Sequence, residues 1–233
     1  METKIVLTQM EISPFCDKVR RVLHYKGLPY STREVGLMAL PFLKREAPTG
    51  KVPVIEYAGK KLWDSTDICL QLEQDYPEHP LLPSDPLQRA DTLLLEDWAD
   101  ETLYFFEMTM RFAWPEHSAH WSRVIAKRDP AWVRALAPLM VPRLIKTTIS
   151  HQGTGRKNRE HVLRDLHRLL GALETRIDAG GFCVGNELTL ADIAVASQLH
   201  CIQGTSIGAE AIEQHKSVAL WKSCVDALTG VQN

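Results

Sequence analysis

Tyr76–Pro86 holds four prolines in eleven residues, and no other stretch constrains the fold as strongly. A proline lacks the amide proton that a helix interior or central strand needs, so this run is neither and marks a boundary between two units. Before it, strand and helix patterns alternate. Ile5-Val6-Leu7 reads as a short strand, Lys18–Leu23 as part of a helix, and Tyr30–Val35 as a second strand. Gly50–Tyr57 is a loop feeding a third strand, Gly59 turns the chain, and Lys60–Trp63 returns as a fourth. Asp64-Ser65 then caps a helix running through Ile68 and Leu72 to Tyr76.

After the boundary the pattern is helical only. Leu87–Phe112 has apolar residues at helical spacing and reads as one long helix. Pro115, Pro130, Pro138 and Pro142 punctuate residues 114–155, which read as two shorter helical pieces. A helix follows from about Arg159 to Ile177, closed by Gly180-Gly181. Thr189 and Asp192 are spaced as a capping box, with Asp in place of Glu, for a nearly apolar helix from Ala191 to Cys201. Trp221, Val225 and Leu228 belong to a last helix.

Ser13-Pro14-Phe15-Cys16 carries the chemistry. Pro14 suits the first helical turn, which puts Ser13 at the N-cap and Cys16 one turn inside. Unpaired N–H groups and the positive end of the helix dipole favour a thiolate there, the protein's own or a ligand's. An ordinary serine cap followed by a buried cysteine accounts for the same string.

In order along the chain, S-P-F-C at 13–16, K-V-P-V at 51–54, D-S-T-D-I at 64–68, P-S-D-P at 83–86 and G-N-E-L-T-L-A-D-I at 185–193 resemble the glutathione transferase superfamily. The resemblance implies an α/β thioredoxin-like domain at 1–76, a linker at 77–86 and an all-helical domain at 87–233. It also implies glutathione as co-substrate, no metal, a homodimer, and a small hydrophobic electrophile as second substrate. In glutathione binding it implies a cis Val52-Pro53 bond that turns the Val52 backbone toward the ligand's cysteine. Asp64 and Ser65 would take the γ-glutamyl end, and Lys51, with Lys44 and Arg45 as other candidates, the glycine carboxylate. Ser13 would stabilise the thiolate. Cys16 matches the second cysteine of dithiol relatives, which leaves a glutathione-dependent reductase or lyase as an alternative. Tyr104, Phe105 and Met108, together with Phe112 and Trp114, offer an apolar wall for the electrophile. The 114–155 insertion is not a general feature of the family and marks a divergent member.

Composition sets the remaining expectations. The chain is 45% hydrophobic and 24% charged, shows no signal-peptide pattern, and has no apolar run of membrane-spanning length. Five scattered cysteines, an odd number, point to a reducing cytoplasm. The net charge of −2 conceals segregation: thirteen cations face five acids over residues 111–176, whereas one cation faces eight acids over 77–110. The basic region is either a pair of solvated helix faces or a surface for an anionic partner, and the latter keeps a non-catalytic interaction protein as a further alternative. No nucleic-acid motif accompanies it.

Overall fold

The computed structural model describes residues 4–230. A four-stranded sheet comes first, with β1 (Ile5–Gln9), β2 (Tyr30–Glu34), β3 (Val54–Tyr57) and β4 (Lys60–Trp63) in the order β2-β1-β3-β4. β1 and β2 are parallel, joined through α1 (Pro14–Tyr25), as a parallel pair requires a crossover. β3 runs antiparallel to β1 and to β4. Ile5, Leu7 and Ile55 of the sheet are buried against Val19, Val22 and Leu23 of α1 and against Ile68 and Leu72 of α3 (Ser65–Asp75). A short α2 (Leu40–Leu43) lies between β2 and β3. This is the expected thioredoxin-like arrangement.

The remainder is helical. The predicted helix from 87 to 112 is one continuous coil, but it widens twice: α4 (Pro86–Trp98) passes through a π-helical stretch at Ala99–Leu103 into α5 (Tyr104–Met108), then a second at Thr109–Ala113. Each widened turn rotates the side chains that follow it. α6 (Pro115–Ile125) and α7 (Ala131–Gln152) are the two pieces expected over 114–155. The break falls before Pro130, whereas Pro138 and Pro142 lie inside the 22-residue α7. Proline's φ suits a helix and each ring costs one backbone bond. Val133, Ala137, Val141, Ile145 and Ile149, four residues apart, hold α7 against its neighbours.

α8 (Arg159–Gly180) ends at Gly181, whose φ of 90° suits glycine. The central α9 (Leu190–Gln203) is buried on nearly every side. Its Asp192 carboxylate accepts from Thr189 N, Thr189 Oγ1, Cys183 N and Trp221 Nε1 at 2.7–2.9 Å, so the predicted capping residue also ties α9 to α11 (Lys216–Leu228). α10 (Ser206–Glu213), capped by Thr205, has no counterpart in the sequence reading, since it is short and contains Gly208.

Side chains from both halves meet in the interior. Lys18 of α1 is buried and pairs with Glu96 and Asp100. Arg21 of α1 pairs with Asp226 of α11 at 2.7 Å. The Asp129 carboxylate, before α7, accepts from Leu37 N and Met38 N at 2.8 and 2.9 Å. Gly36 is required beside it, because a Cβ there would lie 2.6 Å from Asp129 Oδ1.

Candidate active site

Pro14 opens α1 and Ser13 caps it, its Oγ accepting from Cys16 N at 3.4 Å. The hydroxyl proton is therefore free to donate elsewhere. Ser13 lines a cavity of about 330 Å³ with Phe15, Tyr104, Phe105, Met108 and Phe112. Phe15 and Tyr104 pack at a ring separation of 4.9 Å, Tyr104 and Phe105 at 5.2 Å. Of the expected apolar wall, Trp114 departs: it is buried in the main core under the guanidinium of Arg159, 4.6 Å from its ring. Burial pushes the Tyr104 phenol upward, so it stays protonated.

A second cavity of about 500 Å³ adjoins the first, and Phe15, Lys51, Val52, Asp100 and Glu101 line both. Thr49, Pro53, Asp64, Ser65, Thr66, Asp67, Glu96 and Asp97 complete its walls. The Val52-Pro53 bond is cis, as expected. Asp64 caps α3 with one oxygen only, Oδ1 accepting from Thr66 N at 3.0 Å and Asp67 N at 3.3 Å. Its φ of 72° with ψ of 127° is a region L-residues rarely occupy, at a cost of about 1–3 kcal/mol. With Thr66 N and Asp67 N taken by Asp64, the Ser65 N–H and hydroxyl are the donors left for a ligand at this helix mouth.

Lys51 is exposed and forms no ion pair among the described residues. Lys44 packs under Gly50, and the Arg45 guanidinium lies 5.9 Å over the Phe42 ring; neither lines either cavity. Cys16 is fully buried, away from both cavities. Burial pushes its thiol up to about 11, outweighing the Met10 and Ser13 hydrogen bonds that favour the thiolate.

Sequence reasoning missed two groups. The first is the acidic floor of the second cavity. Asp100 and Glu101 sit on the first π-helical stretch, and Glu96, Lys18 and Thr66 form a hydrogen-bonded cluster beneath them. Burial, reinforced by Glu96 and opposed by Lys18, pushes Asp100 up to about 6. Of the five acids between 91 and 101, Asp91 pairs with Arg176 and the other four line the cavity; their three- and four-residue spacing is legible, but that their face lies against the cavity is set by packing.

The second group is Arg111, on the other π-helical stretch. It is 1% exposed, donates from Nη1 to Glu107 at 3.0 Å, and grips the Ile12 carbonyl from Nη1 and Nη2 at 3.2 and 3.3 Å. Cys201 Sγ reaches the same carbonyl at 3.7 Å. The residue before Ser13 is thus held by the helical domain. No local signal points to this pair, because 99 residues separate the partners.

The chain is therefore a thioredoxin-like sheet domain joined to an all-helical one, with a polar and an apolar cavity adjoining at the mouth of α1. Residues 7–80 match the family described as "Glutathione S-transferase, N-terminal domain", and residues 136–227 match "Glutathione S-transferase, C-terminal domain". The chain belongs to the glutathione S-transferase superfamily. It is 38% identical over 96 residues to pyrimidodiazepine synthase of Drosophila melanogaster, an alignment spanning 39% of this chain and 40% of that protein. It is 44% identical over 70 residues to glutathione S-transferase DHAR3, chloroplastic, of Arabidopsis thaliana, spanning 29% of this chain and 27% of that one. These matches therefore span less than half of each relative. The crystal structure of a beta-etherase from Sphingobium sp. strain SYK-6 shares the fold at a TM-score of 0.71, with 22% identity over 97% of this chain and 96% of that one.

Proposed function

We propose that the protein binds glutathione in the polar cavity and activates its thiol at Ser13 for attack on a small hydrophobic electrophile in the apolar cavity. The observation that carries this reading is the junction of the two cavities at Phe15, Lys51 and Val52, beside the mouth of α1. In this reading residues 1–76 form the glutathione domain, 77–86 the linker and 87–233 the helical domain.

An extended tripeptide pairs its cysteine backbone with Val52, as an added strand would. Its γ-glutamyl carboxylate meets the Ser65 N–H and hydroxyl, and its ammonium meets the unused Asp64 oxygen and the carboxylates of Asp97, Asp100 and Glu101. Lys51 takes the glycine carboxylate. The thiol then lies at the mouth of α1, where the Ser13 hydroxyl donates to sulfur and the helix dipole favours negative charge. The sulfur loses its proton to solvent and its electron pair forms the S–C bond. A leaving group departs with the displaced pair, or an adduct carbanion takes a proton.

The alternative reductase or lyase reading needs a reactive Cys16, and its burial and raised pKa weigh against it. The test compares Ser13→Ala with Cys16→Ala. Under this reading Ser13→Ala raises the pKa of bound glutathione, followed by thiolate absorbance, and lowers conjugation. Cys16→Ala leaves both near the parent value. The opposite pattern moves the chemistry to Cys16, and absence of thermal stabilisation by millimolar glutathione favours the interaction-protein reading.

A further inference from the structure

α7 turns one face inward through Ala137, Val141 and Ile149 and leaves a second apolar face uncovered. Trp132, Leu136, Leu139, Met140 and Leu144 are 61%, 44%, 59%, 56% and 66% exposed. At 100° per residue Trp132, Leu136, Leu139 and Arg143 fall within one narrow sector, with Lys146 and Met140 at its edges. Residues 130–159 contain six Lys and Arg and no Asp or Glu. Arg143 and Lys146 form no ion pair among the described residues, whereas Lys157 and Arg159 pair with Asp165 and Glu116 and Arg134 leaves the opposite side of the helix. The exposed Leu87 and Leu94 of α4 differ in this respect, since they stand in a segment of one cation and eight acids.

We infer that the outward face of α7 docks on an anionic lipid surface. Apolar side chains on one helix face, bordered by cations and free of acids, complement a plane of negative headgroups over acyl chains. None of these outward residues lines the polar or the apolar cavity. No helix among the described residues is long and apolar enough to cross a membrane, and the contact proposed is interfacial. It is independent of the glutathione reading, because the α7 residue at the apolar cavity, Ile145, faces the other way.

Sedimentation of the full chain with vesicles tests the inference. The protein is expected to sediment with equal parts phosphatidylcholine and phosphatidylserine, not with phosphatidylcholine alone, and to be released at about 1 M salt, where the Debye length is about 3 Å. Arg143→Gln/Lys146→Gln weakens partitioning roughly 25-fold, at about fivefold per cation. Leu139→Asp removes it. Both variants keep the parent's circular dichroism and any glutathione stabilisation. Sedimentation with both vesicle types or with neither, or binding indifferent to the double neutralisation, overturns the inference. So does a parent dimer that Leu139→Asp splits in sedimentation equilibrium, since a second copy then covers the face.

Discussion

Replacing Arg111 with Met separates two roles of one side chain. Arg111 neutralises Glu107, which is 2% exposed, and clamps the Ile12 carbonyl next to Ser13. Burial already pushes the Glu107 carboxyl upward, against the pull of Arg111. Removing one partner of such a buried pair costs about 3–5 kcal/mol, because the other is stranded away from water. With a urea dependence of about 2–3 kcal/mol per molar, the unfolding midpoint should fall by about 1–2 M. Arg111→Met/Glu107→Leu removes both charges and should regain most of that loss, since an apolar pair of similar volume packs about as well as the ions did. The double variant still lacks the clamp, so the pKa of bound glutathione should stay above the parent value although stability returns. Urea melts followed by circular dichroism, paired with thiolate absorbance against pH, measure both. A double variant no more stable than the single one refutes the pairing argument, and a parent-like thiolate pKa in the double variant refutes the clamp.

Three further outcomes are expected. Glutathione affinity, measured by calorimetry, should be highest near about pH 7, between the Asp100 and ammonium titrations, and fall as the pH drops through about 6 and Asp100 takes up its proton. The ligand's ammonium pairs only with the ionised carboxylate, and its own groups titrate near about 3.5 and about 8; Asp100→Asn should flatten that profile. Asp64→Gly relieves the backbone at φ 72° while costing a few tenths of a kcal/mol as a cap, so stability should change by less than about 1 kcal/mol. Glutathione binding by that variant should weaken about tenfold, and unchanged affinity would make Asp64 a cap only. Asp192→Ala strands Cys183 N, Thr189 N and Trp221 Nε1 in the core and should lower the unfolding free energy by at least about 3 kcal/mol, whereas Asp192→Asn should fall between.

The features legible in the sequence are those built from near neighbours. Pro14 after Ser13 defines the α1 cap, Asp64 the α3 cap, and Thr189 with Asp192 the α9 cap, because each bond spans two or three residues and depends only on side-chain type. Hydrophobic spacing likewise locates the strands and most helices. It gave two helical pieces over 114–155 without saying which proline separates them, because a proline's effect depends on whether packing offsets one lost bond, and Ala137, Val141 and Ile149 supply that packing around Pro138 and Pro142. α10 escaped notice because eight residues give too little periodicity to register.

Tertiary structure alone decided which acids face the polar cavity and what grips Ser13's neighbour. The face that carries Asp97, Asp100 and Glu101 is set against the polar cavity, and Arg111 against the Ile12 carbonyl, by packing between distant segments. Lys18 finds Glu96 across 78 residues, and Arg111 finds Ile12 across 99. Cys16 illustrates the division most plainly: its place one turn inside α1 follows from the local string, but the raised pKa of its thiol follows from the protein packed around it, which removes the water a thiolate needs. Local chemistry assigns a residue its backbone position, and burial by distant chain segments then determines which of its chemical states is stable there.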